Sequence, residues 1–186
     1  MSYKKVLFFT FRFSLFTKIF FTIEMDKISF KFFLEKFPVH ALPVTLRADT
    51  YETLGNGIEP LPTLLIEQYL LDEEEEDDGM TEYLACFRLP PHEKYEAVVY
   101  WKAGLLTYEY HLKTYTKDGV GVIDSHVIGG TVLINDKLVE SIATIQEDRI
   151  VCIATGATNI ETMEFDTAEN KILYVEIHDD GTIIAS

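Results

Sequence analysis

The hydrophobic pattern of this chain changes character near residue 80. Before that point, apolar residues recur at nearly helical spacing over 26–37 and again over 63–71. After it, short runs rich in Val, Ile, Thr, Tyr and Phe alternate with turn signals, which is typical of strands. The sequence therefore predicts a helical part over 26–71 and a β part over 81–186.

Short connections separate the strands that the β part predicts. The predicted strands are 81–89, 95–103, 105–116, 121–128, 131–134, 138–146, 149–155, 160–166, 171–178 and 181–185. Short loops, among them a turn at Gly129-Gly130, join antiparallel neighbours, because a parallel crossover needs about a dozen residues or more. The predicted fold class is α+β, with short N-terminal helices followed by an antiparallel β-meander that is barrel-like or a sandwich.

The first 24 residues differ in composition from the rest of the chain. They are rich in Phe and Lys, whereas an ordinary domain composition begins at Met25. We expect residues 1–24 to be an extension or a misassigned start, and 25–186 to be a single domain. The alternatives are a membrane or targeting segment, although Arg12 and Lys18 interrupt the apolar run, and a true first element of the fold.

The chain is strongly acidic, with a formal net charge of -15 at pH 7. This charge argues against nucleic acid as a partner, because binding to phosphates needs clustered Lys and Arg. It favours either simple solubility or a basic protein partner. An acidic connector over 72–79 contains the run Asp72, Glu73, Glu74, Glu75, Glu76, Asp77 and Asp78. It is not a calcium loop, since Ala85 stands where such a loop needs a bidentate Glu.

No motif for catalysis, cofactor binding or metal binding is present. The sequence has no P-loop, dinucleotide fingerprint, H-E-x-x-H, paired C-x-x-C or G-x-S-x-G pattern. Its two cysteines, Cys86 and Cys152, lie in apolar strands, which favours a reducing compartment such as the cytoplasm. We expect no cofactor and no metal site, and the sequence favours a non-catalytic protein over an enzyme.

One strand of the β part carries the candidate site. Strand alternation places Tyr108 and Tyr110 on one face of 105–116, and Glu109 and His111 on the other. If the preceding strand is its neighbour, Trp101 joins the two tyrosines in an aromatic cluster. The cluster is either core packing or a contact surface, and Glu109 with His111 is either a solvated pair or a coupled carboxylate and imidazole.

Three functions remain open after this reading. The leading one is a non-catalytic interaction or regulatory domain, immunity- or inhibitor-like, that binds a basic partner through its acidic charge. The second is a small-ligand-binding β-barrel with an aromatic-lined pocket near Trp101. The third is an enzyme without a recognisable motif. No membrane is expected as a partner unless residues 1–24 are a true anchor.

Overall fold

Nine strands, rich in β-branched and aromatic residues, make up 53% of the part of the chain that the structure describes. The structure is a computed structural model, and it describes residues 29–54, 59–71 and 79–185, without the side chains of 167–169. The strands are β1 (Val44–Leu46), β2 (Glu82–Arg88), β3 (Tyr95–Ala103), β4 (Thr107–Thr116), β5 (Val122–Ile134), β6 (Lys137–Ile145), β7 (Ile150–Asn159), β8 (Phe165–Ile177) and β9 (Ile183–Ala185).

The strands form one antiparallel sheet, as the meander prediction required. Each strand from β2 to β9 pairs with the next one, so their order in space follows their order in the chain. The exception is β1, which pairs with residues 143–145 of β6. Residues 137–141 of the same strand pair with β5. β1 therefore continues the ladder on β6 where β5 leaves it.

The predicted turn at Gly129-Gly130 is wrong, because β5 continues through both glycines. Gly129 pairs with Tyr110 and Gly130 pairs with Glu109 of β4, next to a β-bulge in β5. Gly130 has a φ of +133°, and a Cβ placed on it would lie 2.0 Å from the carbonyl oxygen of Tyr108. The glycine is needed for the close approach of two strands rather than for a reversal of the chain.

The predicted strand 160–166 is wrong over 160–164, which connect β7 to β8, whereas 165–166 belong to the same strand, β8, as most of the predicted strand 171–178. A large bulge in β8 explains the apparent interruption. Asp166 pairs with Ala157 and Lys171 pairs with Thr155, so only Gly156 of β7 lies opposite the segment 167–170. The polar residues of this segment resemble a turn in the sequence, although the backbone stays in the sheet.

The expected helical part over 26–71 is not borne out as a unit of the fold. Its described helical segments are short: α1 (Phe30–Glu35), a 3-10 turn (Thr50–Glu52), and α2 (Thr63–Leu65), which continues as a π-helical turn (Ile66–Leu70). Between them, β1 belongs to the main sheet. Prolines at 38, 43, 60 and 62 explain the short segments, because proline cannot donate the hydrogen bond that continues a helix.

The sheet curls around an inner core made by one face of all nine strands. Its members include Leu46 of β1, Trp101 of β3, Leu112 of β4, Ile153 of β7 and Val175 of β8. Because side chains alternate between the two faces of a strand, the same curl directs the remaining residues outward. Those outward residues are either covered by other segments or exposed to solvent.

The sheet is not closed into a barrel, which corrects the barrel-like alternative. Side-chain hydrogen bonds connect its C-terminal part with β3, β4 and β5. The guanidinium of Arg149, just before β7, donates to the hydroxyl of Tyr95 at 2.8 Å. The hydroxyl of Thr114 donates to the carbonyl of Gly181 at 2.7 Å, and the amide of Ile183 donates to a carboxylate oxygen of Asp124 at 2.8 Å. The last two contacts hold β9 and the turn before it against β4 and β5.

An outer core lies where α1 and α2 cover the outward face of β2, β3 and β4. Its centre is Phe33, which stacks on Tyr69 with ring centroids 4.5 Å apart and also packs against Tyr115 of β4. The hydroxyl of Tyr115 donates to the carbonyl of Tyr69 at 2.7 Å. The buried ammonium of Lys113 donates to the carbonyl of Leu70 at 2.8 Å. These two donors fix the C-terminal end of the helical segment on the sheet.

Candidate functional site

The three predicted aromatic residues do come together on the inward face of β3 and β4. Trp101 pairs with Tyr110 across the two strands, and Ala103 pairs with Tyr108. The ring centroids of Trp101 and Tyr110 are 4.4 Å apart, and those of Trp101 and Tyr108 are 6.3 Å apart. Tyr51, which the sequence did not single out, stacks on Trp101 at 4.8 Å with nearly parallel rings.

This aromatic cluster is packed by the protein's own groups. Trp101 and Tyr110 are buried, and the hydroxyl of Tyr110 donates to the carbonyl of Arg47 at 2.9 Å. Burial raises the pKa of that hydroxyl, so it stays protonated. Tyr108 is partly exposed at the edge of the cluster. Two cavities of the described part, of about 880 and 380 Å³, are lined by other residues.

Glu109 and His111 form a pair on the opposite, outward face of β4. The carboxylate oxygen of Glu109 lies 3.3 Å from Nε2 of His111, and the imidazole stacks on Tyr100 at 4.9 Å. The hydrogen bond from His111 lowers the pKa of Glu109, and the charges of His111 and Lys102 act in the same direction. The carboxylate therefore orients the imidazole, although neither cavity contains the pair.

The acidic connector cannot be placed with these residues, because 72–78 lies outside the described part of the chain. Over the described residues, no group of three or more His, Cys, Asp or Glu side chains is arranged to hold a metal ion.

A more extensive exposed surface lies on the outward side of β6, β7 and β8, which we call the open face. Its side chains are Glu140, Ile142 and Thr144 of β6, Cys152, Ala154 and Gly156 of β7, and Phe165, Asn170, Ile172 and Tyr174 of β8. Ile142, Ala154 and Ile172 stand in one row across the three strands, because the ladders pair them directly. Ala143 and Ile153, their neighbours along the chain, point into the inner core.

The larger cavity is an open groove of about 880 Å³ that includes part of this face and extends past β6 to residues 47–49 and 130–131. Its apolar lining consists of Ile142, Ala154, Phe165 and Ile172, and Gly156 lies beside them. Its polar and charged lining includes Arg47, Asp49, Thr131, Glu140, Asn170 and Lys171. The positive charges of Arg47 and Lys171 balance the negative charges of Asp49 and Glu140, so the lining has nearly no net charge. The groove is amphipathic, because it combines these groups with apolar side chains.

The open face was missed at the level of sequence, although a signal for it exists. The run from Lys171 to Val175 places apolar residues at four consecutive positions after the lysine. In a strand this puts apolar side chains on both faces, with Leu173 and Val175 inward and Ile172 and Tyr174 outward. Unless other parts of the protein cover both faces of such a strand, one row of its apolar side chains is exposed to solvent.

We expect the two free thiols to differ in reactivity in the native protein. Cys86 is buried, and desolvation raises the pKa of its thiol to about 12, whereas Cys152 is partly exposed on the open face. Iodoacetamide at neutral pH should alkylate Cys152 alone, with Cys86 modified only after unfolding in urea. Mass spectrometry of the digested protein gives the answer, and early alkylation of Cys86 would contradict the described packing of β2.

No helix among the described residues is long and apolar enough to cross a bilayer. The open face and the Glu109–His111 pair have no counterpart from which a role can be transferred. Comparison of the chain with protein-family models, with curated proteins and with solved structures finds no match.

Proposed function

We propose that this chain is a non-catalytic interaction domain that binds a basic protein partner through the open face. The observation that carries the proposal is the exposure of large apolar side chains on that face. The exposed fractions are 67% for Ile172, 57% for Phe165, 50% for Tyr174 and 41% for Ile142. Contiguous exposed apolar surface of this kind marks interaction sites in soluble proteins.

The contrast with the other outward face supports this interpretation. On β2, β3 and β4, the outward residues Tyr83, Val98 and Tyr100 are buried in the outer core under α1 and α2. On β6 and β8, the outward residues Ile142, Ile172 and Tyr174 are also large and apolar but remain exposed. A partner that covers Ile142 and Ile172 would bury them as the helices bury Val98.

The charge of the molecule supports a basic partner rather than a second copy. The chain carries a net charge of -15, and Glu161, Glu164 and Glu176 are exposed around the open face. Two copies that met at this face would bring these carboxylates together, which is unfavourable. A partner with Lys and Arg around an apolar patch would be attracted and would associate faster at low ionic strength.

The groove also supports a second candidate, a small-ligand site. A volume of about 880 Å³ lies within the range of ligand pockets, roughly 300–1,000 Å³. Ser141 and Thr155 belong to its lining, and their hydroxyls, which alternate with the outward side chains of Ile142 and Ala154, are hydrogen-bonded to each other at 2.8 Å. Phe165 is its aromatic side chain, so this site differs from the pocket that was expected near Trp101.

We expect the change Ile172→Asp to weaken partner binding by about tenfold or more. The substitution places a carboxylate in the middle of the exposed apolar row, where it must be desolvated on binding. Displayed random peptides are first selected for binding to the native chain. Fluorescence anisotropy then gives the dissociation constants of the selected peptides for the native and variant proteins. The selected peptides should be rich in Lys, Arg and large apolar residues.

The matched control is Val120→Asp, which makes the same change at an exposed residue of the turn between β4 and β5. This variant should bind the selected peptides within about twofold of the native chain. Equal binding by the Ile172 variant, or selection of acidic peptides, would contradict the proposal. Affinities that do not change between low and high salt would remove its electrostatic part.

A further inference from the structure

The open face is not flat, because its middle strand carries smaller outward residues than its neighbours. On β7 the outward residue Ala154 lies directly between Ile142 of β6 and Ile172 of β8, and Gly156 lies between Glu140 and the bulge of β8. The result is a trough over β7 with apolar walls, and it overlaps the groove of about 880 Å³, which also extends across β6 to residues 47–49. The ring of Phe165 lies against Gly156, where a Cβ would come within 3.0 Å of it, and so closes one end of the trough.

The spacing of the trough walls suits the side chains of one class of structural element. The backbones of β6 and β8 are two strand spacings apart, about 10 Å, so one row of side chains on an α-helix can lie between Ile142 and Ile172 while the helix itself lies above them. From Cys152 to Gly156 the strand rises about 13 Å, which corresponds to about nine helical residues. A helix of two to three turns can therefore lie along β7 on top of the walls.

We propose that the partner presents an amphipathic, basic α-helix that lies in this trough along β7, an inference that rests on the function proposed above. Its apolar side, with residues spaced at i, i+3, i+4 and i+7, packs between Ile142 and Ile172 over Ala154. Its cations face the carboxylates that surround the open face, such as Glu140 and Glu176.

The backbone of the bound element is the reason for preferring a helix to an extended peptide. An extended peptide binds to a sheet mainly by main-chain hydrogen bonds along an edge strand. β7 lies in the middle of the open face and is paired on both sides, with β6 and with β8. A helix satisfies its own backbone hydrogen bonds and needs only side-chain contact, which is what this face offers.

The experiment compares two peptide libraries of the same composition, selected on the full chain. One library is templated as a helix with apolar positions at i, i+3, i+4 and i+7, and the other alternates apolar and basic residues as a strand does. We expect binders from the helical library. A central proline in a selected helical peptide should weaken its binding by about a hundredfold.

Two variants of the chain make the outcome specific to the trough. Ala154→Phe fills the trough without removing apolar surface, and at this exposed strand position we expect it to leave the thermal midpoint unchanged. It should weaken the helical peptide at least tenfold, whereas Ala154→Ser should not. A bound helix should also slow alkylation of Cys152, which lies on the same strand face.

The outcomes separate this inference from the proposed function. Binders that come only from the extended library, and that lose affinity with Ile172→Asp, would overturn the helix while leaving the interaction face in place. Helical binders that tolerate Ala154→Phe would also overturn it, since the trough would then not hold them. If neither library gave a binder sensitive to Ile172→Asp, both proposals would fall.

Discussion

Replacing Gly130 with alanine should lower the free energy of unfolding by about 3 kcal/mol or more. A φ of +133° costs an L-residue roughly 1–3 kcal/mol. The new Cβ would also lie 2.0 Å from the carbonyl oxygen of Tyr108 and 2.7 Å from the Cα of Glu109. Both are backbone atoms, so β4 and β5 would have to move apart, and overpacking of this kind costs about 1–3 kcal/mol more.

Thermal and urea unfolding, followed by circular dichroism, measure this effect. For a chain of this size the midpoint should fall by about 10 °C. Gly121→Ala is the control, because its Cβ would meet nothing closer than 3.8 Å and its φ is not positive. If both variants unfolded at the native midpoint, β5 would not pass through Gly130 as described.

The second large effect is expected at the centre of the outer core. Phe33→Ala should lower the free energy of unfolding by about 3–5 kcal/mol, because it leaves a cavity where a fully buried ring packed. That ring contacts Tyr69, Phe37 and Tyr115, with centroid distances of 4.5, 5.0 and 5.7 Å. The loss should appear in urea unfolding followed by tryptophan fluorescence and far-ultraviolet circular dichroism.

Phe32→Ala provides a matched control on the same helix. Phe32 is 43% exposed, and its ring contacts the ammonium of Lys36 at 4.8 Å. The two variants share the same change in helix propensity, so the difference between them reports the packing of Phe33 alone. We expect the control to lie within about 1 kcal/mol of the native protein. Comparable losses at both positions would mean that α1 does not dock on the sheet as described.

Local patterns predicted the meander because hairpins are local structures. Alternation in β3 and β4 correctly placed Trp101 and Tyr110 on one face and His111 on the other, since the strand period is two. The same reasoning failed at Gly129-Gly130, where a glycine pair signals either a turn or a close approach of strands. The sequence alone cannot distinguish these cases, because the neighbour that demands the glycine, Tyr108, lies on another strand.

The hydrophobic pattern could not predict which distant strands pair or which faces of the sheet the helices cover. The partner of β1 is β6, and nothing near Val44 in the sequence indicates that pairing. The candidate site has a similar long-range partner, because Tyr51, which is 50 positions away in the chain, stacks on Trp101. Exposure of Ile172 depends on where α1 and α2 pack, and they cover the opposite part of the sheet.

The pairing of β1 with β6 also has a consequence for how the protein is made. Thr45 and Thr144, whose side-chain oxygens are 3.0 Å apart in that ladder, are 99 positions apart in the chain. At roughly 5–20 residues per second, β1 leaves the ribosome about 5–20 s before its partner strand β6 does. During that interval Val44 and Leu46 have no strand to pair with, and a nascent-chain chaperone would find them accessible. The time at which β6 is synthesised therefore limits when β1 can pair with the sheet.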